Sequence, residues 1–71
     1  MNEPVVVVHL DKVLADRGMT LAALSELVDV SVVNLSVLKN NRGKAIRFTT
    51  LAALCKALQC TPGDLLGVEY H

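Results

Sequence analysis

LAALSELVDVSVVNLSVLKNN, residues Leu21 to Asn41, decides the fold. Leu21, Leu24, Leu27 and Val28 recur at helical spacing, and Thr20 just ahead of them can accept a hydrogen bond from a backbone N–H of the first turn. The pattern predicts a helix over about Leu21 to Val28. Asp29 then breaks it with a residue type that tolerates the left-handed conformation of a tight helix-to-helix turn. Val30 is apolar, Ser31 can cap again, and a second helix is expected from about Val32 to Lys39. Two helices crossing steeply over so short a turn need bulky apolar residues where they face each other and a small one at closest approach. Leu24, Val28, Val30, Leu35 and Leu38 supply the bulk, and Ser25 is the small residue.

Working outward, Leu10, Val13, Leu14 and Arg17 fall at i, i+3, i+4, i+7, and Gly18 is placed to end that helix. Val5 to Val8 is a β-branched run without helical spacing, which predicts a short strand. A lone strand is not stable, and the other extended apolar piece is Leu66 to Tyr70. A two-stranded element is expected, formed within one chain or exchanged between two. Beyond the central pair, Asn40 to Lys44 reads as a polar loop. Thr49 or Thr50 is the expected cap of a fourth helix striped by Leu51, Leu54, Cys55 and Leu58. Thr61 followed by Pro62 marks a last helical turn over Thr61 to Leu66. The fold class is all-α, five short helices in a compact bundle, with residues 1–71 as a single domain.

Composition supports one core and no more. A 71-residue chain buries only about 60% of its unfolded surface, but 52% hydrophobic residues suffice without metal or disulfide staples. Phe48 and Tyr70 are the aromatic residues, too few for a platform that stacks single-stranded nucleic acid. The early apolar run Val5 to Val8 is far short of a membrane span or signal core and follows Glu3, so a cytoplasmic protein without a membrane partner is expected. Cys55 and Cys60 do not form a CxxC pair, and Cys55 falls on an apolar helix face, so both are expected as buried structural thiols. His9 and His71 stand at opposite ends of the chain with no acidic or thiol neighbour at ligand spacing. Neither a metal site nor a cofactor is expected. No Ser-His-Asp set, paired carboxylates or glycine-rich phosphate loop is present, and so short a chain offers no enclosed small-molecule site. The protein is not expected to be an enzyme.

Net charge is zero, but it is segregated along the chain. Residues 1–29 hold Glu3, Asp11, Asp16, Glu26 and Asp29 against Lys12 and Arg17, whereas residues 30–63 hold Lys39, Arg42, Lys44, Arg47 and Lys56 with no acid. A fold that gathers the second segment on one face would present a basic surface.

The stretch Leu21 to Asn41 resembles the helix-turn-helix of the phage repressors Cro and CI, the XRE-type regulators. The resemblance covers about Leu10 to Leu66. It includes LAALCKALQCTPGDLL, which looks like the family's fourth and fifth helices, and KNNRGKAIRFTTL, which is similar to the linker of a subgroup of very short bacterial regulators. It implies a lambda-repressor-like fold, a helix-turn-helix over about residues 21–40, and a transcriptional regulator that reads double-stranded DNA with its third helix in the major groove. Two positions depart from the family pattern. Asp29 stands in place of the usual glycine, and Leu21 where many members carry a glutamine that touches phosphate.

With Leu35 and Leu38 inside, periodicity puts Val33, Ser36, Val37 and Asn40 on the outer face of the third helix, with Ser31, Val32 and Asn34 near its amino end. Apolar side chains in the groove can pack on the thymine methyl, and an Asn can pair with adenine. An A·T-containing half-site read by Val32, Val33, Asn34 and Val37 is therefore expected. Ser31, Asn40, Asn41, Arg42 and Lys44 are the candidates for phosphate contact, and Lys39, Arg47 and Lys56 for longer-range attraction. One short recognition helix reads few base pairs, so a homodimer on a two-fold symmetric operator is expected, joined through the terminal strands. The competing reading is a protein-interaction module or antitoxin that uses the exposed valine face of the third helix for a protein partner.

Overall fold

The structure, a computed structural model, describes residues 3–40 and 45–70. The elements run β1 (Pro4–Val8), α1 (Leu10–Arg17), α2 (Leu21–Leu27), α3 (Val32–Lys39), α4 (Phe48–Leu58), α5 (Pro62–Leu65) and β2 (Leu66–Tyr70). The helical bundle and the terminal strand pair are both as expected, and the strands pair within the chain. β1 and β2 are antiparallel, with Pro4 opposite Tyr70, Val6 opposite Val68 and Val8 opposite Leu66.

Each helix contributes aliphatic side chains to a single core. Leu10, Val13 and Leu14 of α1 meet Leu24 of α2, Val28, Leu35 of α3, Leu54 and Leu58 of α4, and Leu65 of α5. Each fully buried leucine stabilises the fold by about 1.5–3 kcal/mol relative to exposure. No polar or charged side chain is buried among the described residues, so the core incurs no desolvation cost. Val8 and Leu66 pack against this core and tie the sheet to it. His9 donates its backbone N–H to Leu65 O at 2.7 Å, fixing the step from sheet to α1. Gly67 leaves room for the His9 ring beside it, since a Cβ there would sit 2.7 Å from His9 Nε2 and the ring would have to shift.

Thr20 and Ser31 cap α2 and α3 as expected, accepting from Ala23 N and Asn34 N, each at 3.1 Å. Gly18 ends α1 in the left-handed region at φ 62°. Two sequence expectations are corrected. Asp29 is not left-handed; among the described non-glycine residues only Gln59 has positive φ. The chain turns instead at Val28, at φ −124° and ψ 63°, a conformation that does not demand glycine. α4 starts at Phe48 behind Arg47, so Thr49 and Thr50 lie inside its first turn and cap nothing. Leu27 is 62% exposed, because Leu21, Leu24 and Val28 already define the inward side of α2 and Leu27 falls off its edge.

Candidate nucleic-acid interface

α2 and α3 are set at 119° across the break between Leu27 and Val32. That steep crossing holds α3 out from the bundle, with its inner side anchored by Leu35, which is fully buried, and by Leu38. What remains outside is apolar and polar by turns. Val33 is 72% exposed, Val32 and Val37 are exposed, and so is Asn34. Leaving three valines in water forgoes burial energy that a contact surface would recover.

Asn34 and Val37 line an open groove of about 510 Å³. Asp29 and Ser31 also line it, as do Arg47 and Thr50 from the start of α4. The structure thus brings Ser31, Asn34 and Val37 together with a cation. The Ser31 hydroxyl already accepts from Asn34 N–H, yet it still has its own proton to donate. Arg47 carries no side-chain cap for α4, so its guanidinium does not serve its own helix end. The amino end of α4 therefore adds a partial positive charge to the groove.

The remaining expected site residues fall less simply. Asn40 folds back, its Nδ2 donating to Ser36 O at 2.9 Å and to Ser36 Oγ at 3.3 Å. Ser36 is accordingly half-buried and occupied, not a free outward hydroxyl, and part of Asn40's donor capacity is spent inside α3. Lys39 is half-buried at the end of α3. Lys56 does not join the others. It lines a separate depression with Cys55 and Gln59 near the far end of α4, about 14 Å along the axis from Arg47 at 1.5 Å per residue. Asn41, Arg42 and Lys44 lie outside the described residues. The sequence reading gives Arg47 only a longer-range role and gives Thr50 and Asp29 no role in the interface. Their place in the groove depends on how α4 packs beside α3, which no local spacing encodes.

A steep helix pair that presents a capped, uncovered second helix beside an open groove defines a helix-turn-helix protein. The comparisons with known proteins agree. Residues 9–70 match the sequence model of the Cro/C1-type HTH DNA-binding domain, and the chain belongs to that family of DNA-binding proteins, which are not enzymes. It is 51% identical over 66 residues to YozG, an uncharacterized HTH-type transcriptional regulator of Bacillus subtilis (strain 168), covering 93% of this chain and 76% of that one. The crystal structure of the transcriptional regulator VanUg, Form II, is similar with a TM-score of 0.77 at 29% identity, over 100% of this chain and 93% of the other. The protein is thus a member of a family of DNA-binding transcriptional regulators. Among the described residues no single helix is long and apolar enough to cross a membrane.

Proposed function

We propose that the protein acts as a single-domain regulator that lays α3 in the major groove of a two-fold symmetric operator, bound as a homodimer in the cytoplasm. The observation that carries the reading is the exposure of Val32, Val33 and Asn34 on the first turn of a helix whose inner side is locked by Leu35. Val32, Val33 and Val37 pack on thymine methyls and Asn34 pairs with adenine, so the half-site contains A·T pairs. Ser31 and Arg47 face phosphate across the groove, with Asn40, Asn41, Arg42 and Lys44 following α3 along the backbone and Lys39 and Ser36 supporting its end.

The dimer contact fits the sheet. Val6, Val68 and Tyr70 are exposed and apolar, and they share the sheet face that begins with the core-packed Val8 and Leu66. Pairing two such faces would cover apolar surface that one copy leaves in water.

Selection of bound duplexes from a random pool at two salt concentrations tests all of this together. Recovered sites should be palindromic, with A·T pairs in each half. Asn34→Ala should lose about 1–3 kcal/mol of discrimination at one symmetric adenine while leaving the other positions read. Recovery of no common sequence, or of sites whose sensitive pairs are all G·C, would overturn the reading. If Val33→Asp left DNA retention intact and removed capture of a protein partner, the interaction-module reading would replace it.

A further inference from the structure

Two helices of this protein end by the same backbone device. At the end of α1, Gly18 is left-handed, its N–H donates to Ala15 O at 3.1 Å, and Met19 N–H reaches back to Leu14 O at 3.0 Å. At the end of α4, Gln59 is left-handed at φ 53°, its N–H donates to Lys56 O at 3.4 Å, and Cys60 N–H reaches back to Cys55 O at 3.0 Å. Such a closure draws together the side chains of the first and last residues of the longer loop, and an apolar contact there is usual. In α1 the pair is Leu14 and Met19, both part of the core packing. In α4 the pair is Cys55 and Cys60.

The expectation of buried thiols is therefore corrected. Both cysteines are free and only half-buried, and they line one depression with Lys56, Gln59 and Asp64. The 3.0 Å bond from Cys60 N to Cys55 O, together with the covalent reach from each atom to its own Cα, caps the Cα separation at about 7 Å. That is about the limit a disulfide accepts. Burial and the neighbouring Cys55 push the Cys60 thiol up, with Arg17 pulling the other way.

We propose that Cys55 and Cys60 form a reversible dithiol–disulfide site, oxidised in the folded protein by low-molecular-weight disulfides. The thiolate of one cysteine attacks the small disulfide, its S–S bond breaks, and one small thiol leaves as a mixed disulfide forms on the protein. The second cysteine, as thiolate, attacks the protein sulfur of that mixed disulfide and expels the second small thiol. The protein pair gives up two electrons and two protons, and the small disulfide becomes two thiols. The backbone is already closed around the pair, which keeps the two Cα atoms within about the span a disulfide bridges. The site lies at the opposite end of α4 from the groove beside α3 and shares no residue with it, so the proposal is independent of the DNA reading.

The test places the folded protein in glutathione buffers of graded redox ratio near neutral pH, quenches with acid and reads intact mass and peptide maps. The expected product is a monomer about 2 Da lighter, linked Cys55 to Cys60, and restored by reductant. Its formation constant against glutathione should be at least about tenfold larger in the folded protein than in the same chain held in urea. Cys55→Ser and Cys60→Ser, each checked for a native circular dichroism spectrum, should instead accumulate the mixed disulfide on the cysteine that remains. A folded protein that stays dithiol, that carries stable glutathione on either cysteine, or that oxidises no more readily than the unfolded chain would overturn the proposal.

Discussion

The two ends of α4 are built to opposite purposes. At its carboxyl end Leu58 is buried, the last turn closes through Gln59 and Cys60, and Arg17 of α1 donates from Nε to Leu58 O at 2.8 Å and from Nη2 to Gln59 O at 3.0 Å. α5 follows at once with Asp64 accepting from Thr61 N–H and hydroxyl. At its amino end Arg47 offers no side-chain cap, Phe48 is 86% exposed, and the groove to α3 lies open. Helix ends leave backbone donors and acceptors without intrahelical partners. Here carbonyls of the last turn are bonded inside the molecule, while among the described residues the amino end has no side-chain cap and carries a cation beside the groove to α3. The difference separates the end that holds the fold from the end available to a ligand.

The largest test of that division is a pair of truncations. Leu58→Ala at the closed end should lose about 2–5 kcal/mol in urea unfolding, a large share of what so small a domain possesses. Phe48→Ala at the open end should stay within about 0.5 kcal/mol of the parent. Equal losses would mean that α4 is held uniformly along its length. Next in size is Arg17→Ala, which strips two charge-assisted bonds from the carbonyls of Leu58 and Gln59 and should cost about 1–3 kcal/mol by the same measurement. Arg17→Lys should recover less than half, because one ammonium cannot reproduce the guanidinium fork. Full rescue by Lys would show that charge alone matters there.

What the sequence disclosed and what it withheld divide along similar lines. Thr20, Ser31, Gly18 and the Thr61-Pro62 pair are local signals, and the ends of α1, α2, α3 and α5 could be read from them nearly to the residue. The outward valines of α3 were legible too, since one buried Leu35 fixes the phase of a short helix. The beginning of α4 was not, because Arg47 caps without its side chain and leaves no chemical signature, whereas Thr49 and Thr50 carry a false one. Asp29 misled for the same reason: it is a turn residue by type, but the turn is made by Val28. Gln59 in the left-handed region has no propensity to announce it. The cysteine pair had a signal that spacing alone obscured. Residues flanking a predicted helix end by three before and two after are neighbours in the closed turn, however far from a CxxC pattern they stand. The groove joins α3 to α4 across the unperiodic loop, and only packing could reveal it.

A smaller effect probes the open end. Asp29 lines the groove with Arg47, so a phosphate placed there feels repulsion from one and attraction from the other. Asp29→Asn should strengthen duplex binding by about three- to tenfold at low salt, with the gain shrinking as salt screens it. Arg47→Ala should weaken binding and reduce the log-log salt slope by about 0.9, the signature of one lost phosphate contact. Filter binding or fluorescence anisotropy across a salt series measures both. An Asp29→Asn variant with unchanged or weaker affinity would place the phosphates elsewhere.

The smallest effect belongs to the closed end and is read by pH. The backbone N–H of Thr61, followed by its hydroxyl, holds the Asp64 carboxyl below its ordinary value of 3.8. Its folded pKa therefore lies beneath its unfolded one, so this carboxylate binds fewer protons in the folded state than in the unfolded state around that pH. The stabilisation is fully present above the unfolded value and is lost as pH falls from about 4 through the depressed folded value. Asp64→Asn should reduce the melting temperature slightly at neutral pH and flatten the acid limb of the profile, the two curves converging at the lowest pH. Thermal scans from neutral to strongly acid solution decide it. Parallel curves that never converge would mean that Asp64 acts through shape rather than charge. The closing of α5 onto α4 would then owe nothing to the ionised capping box.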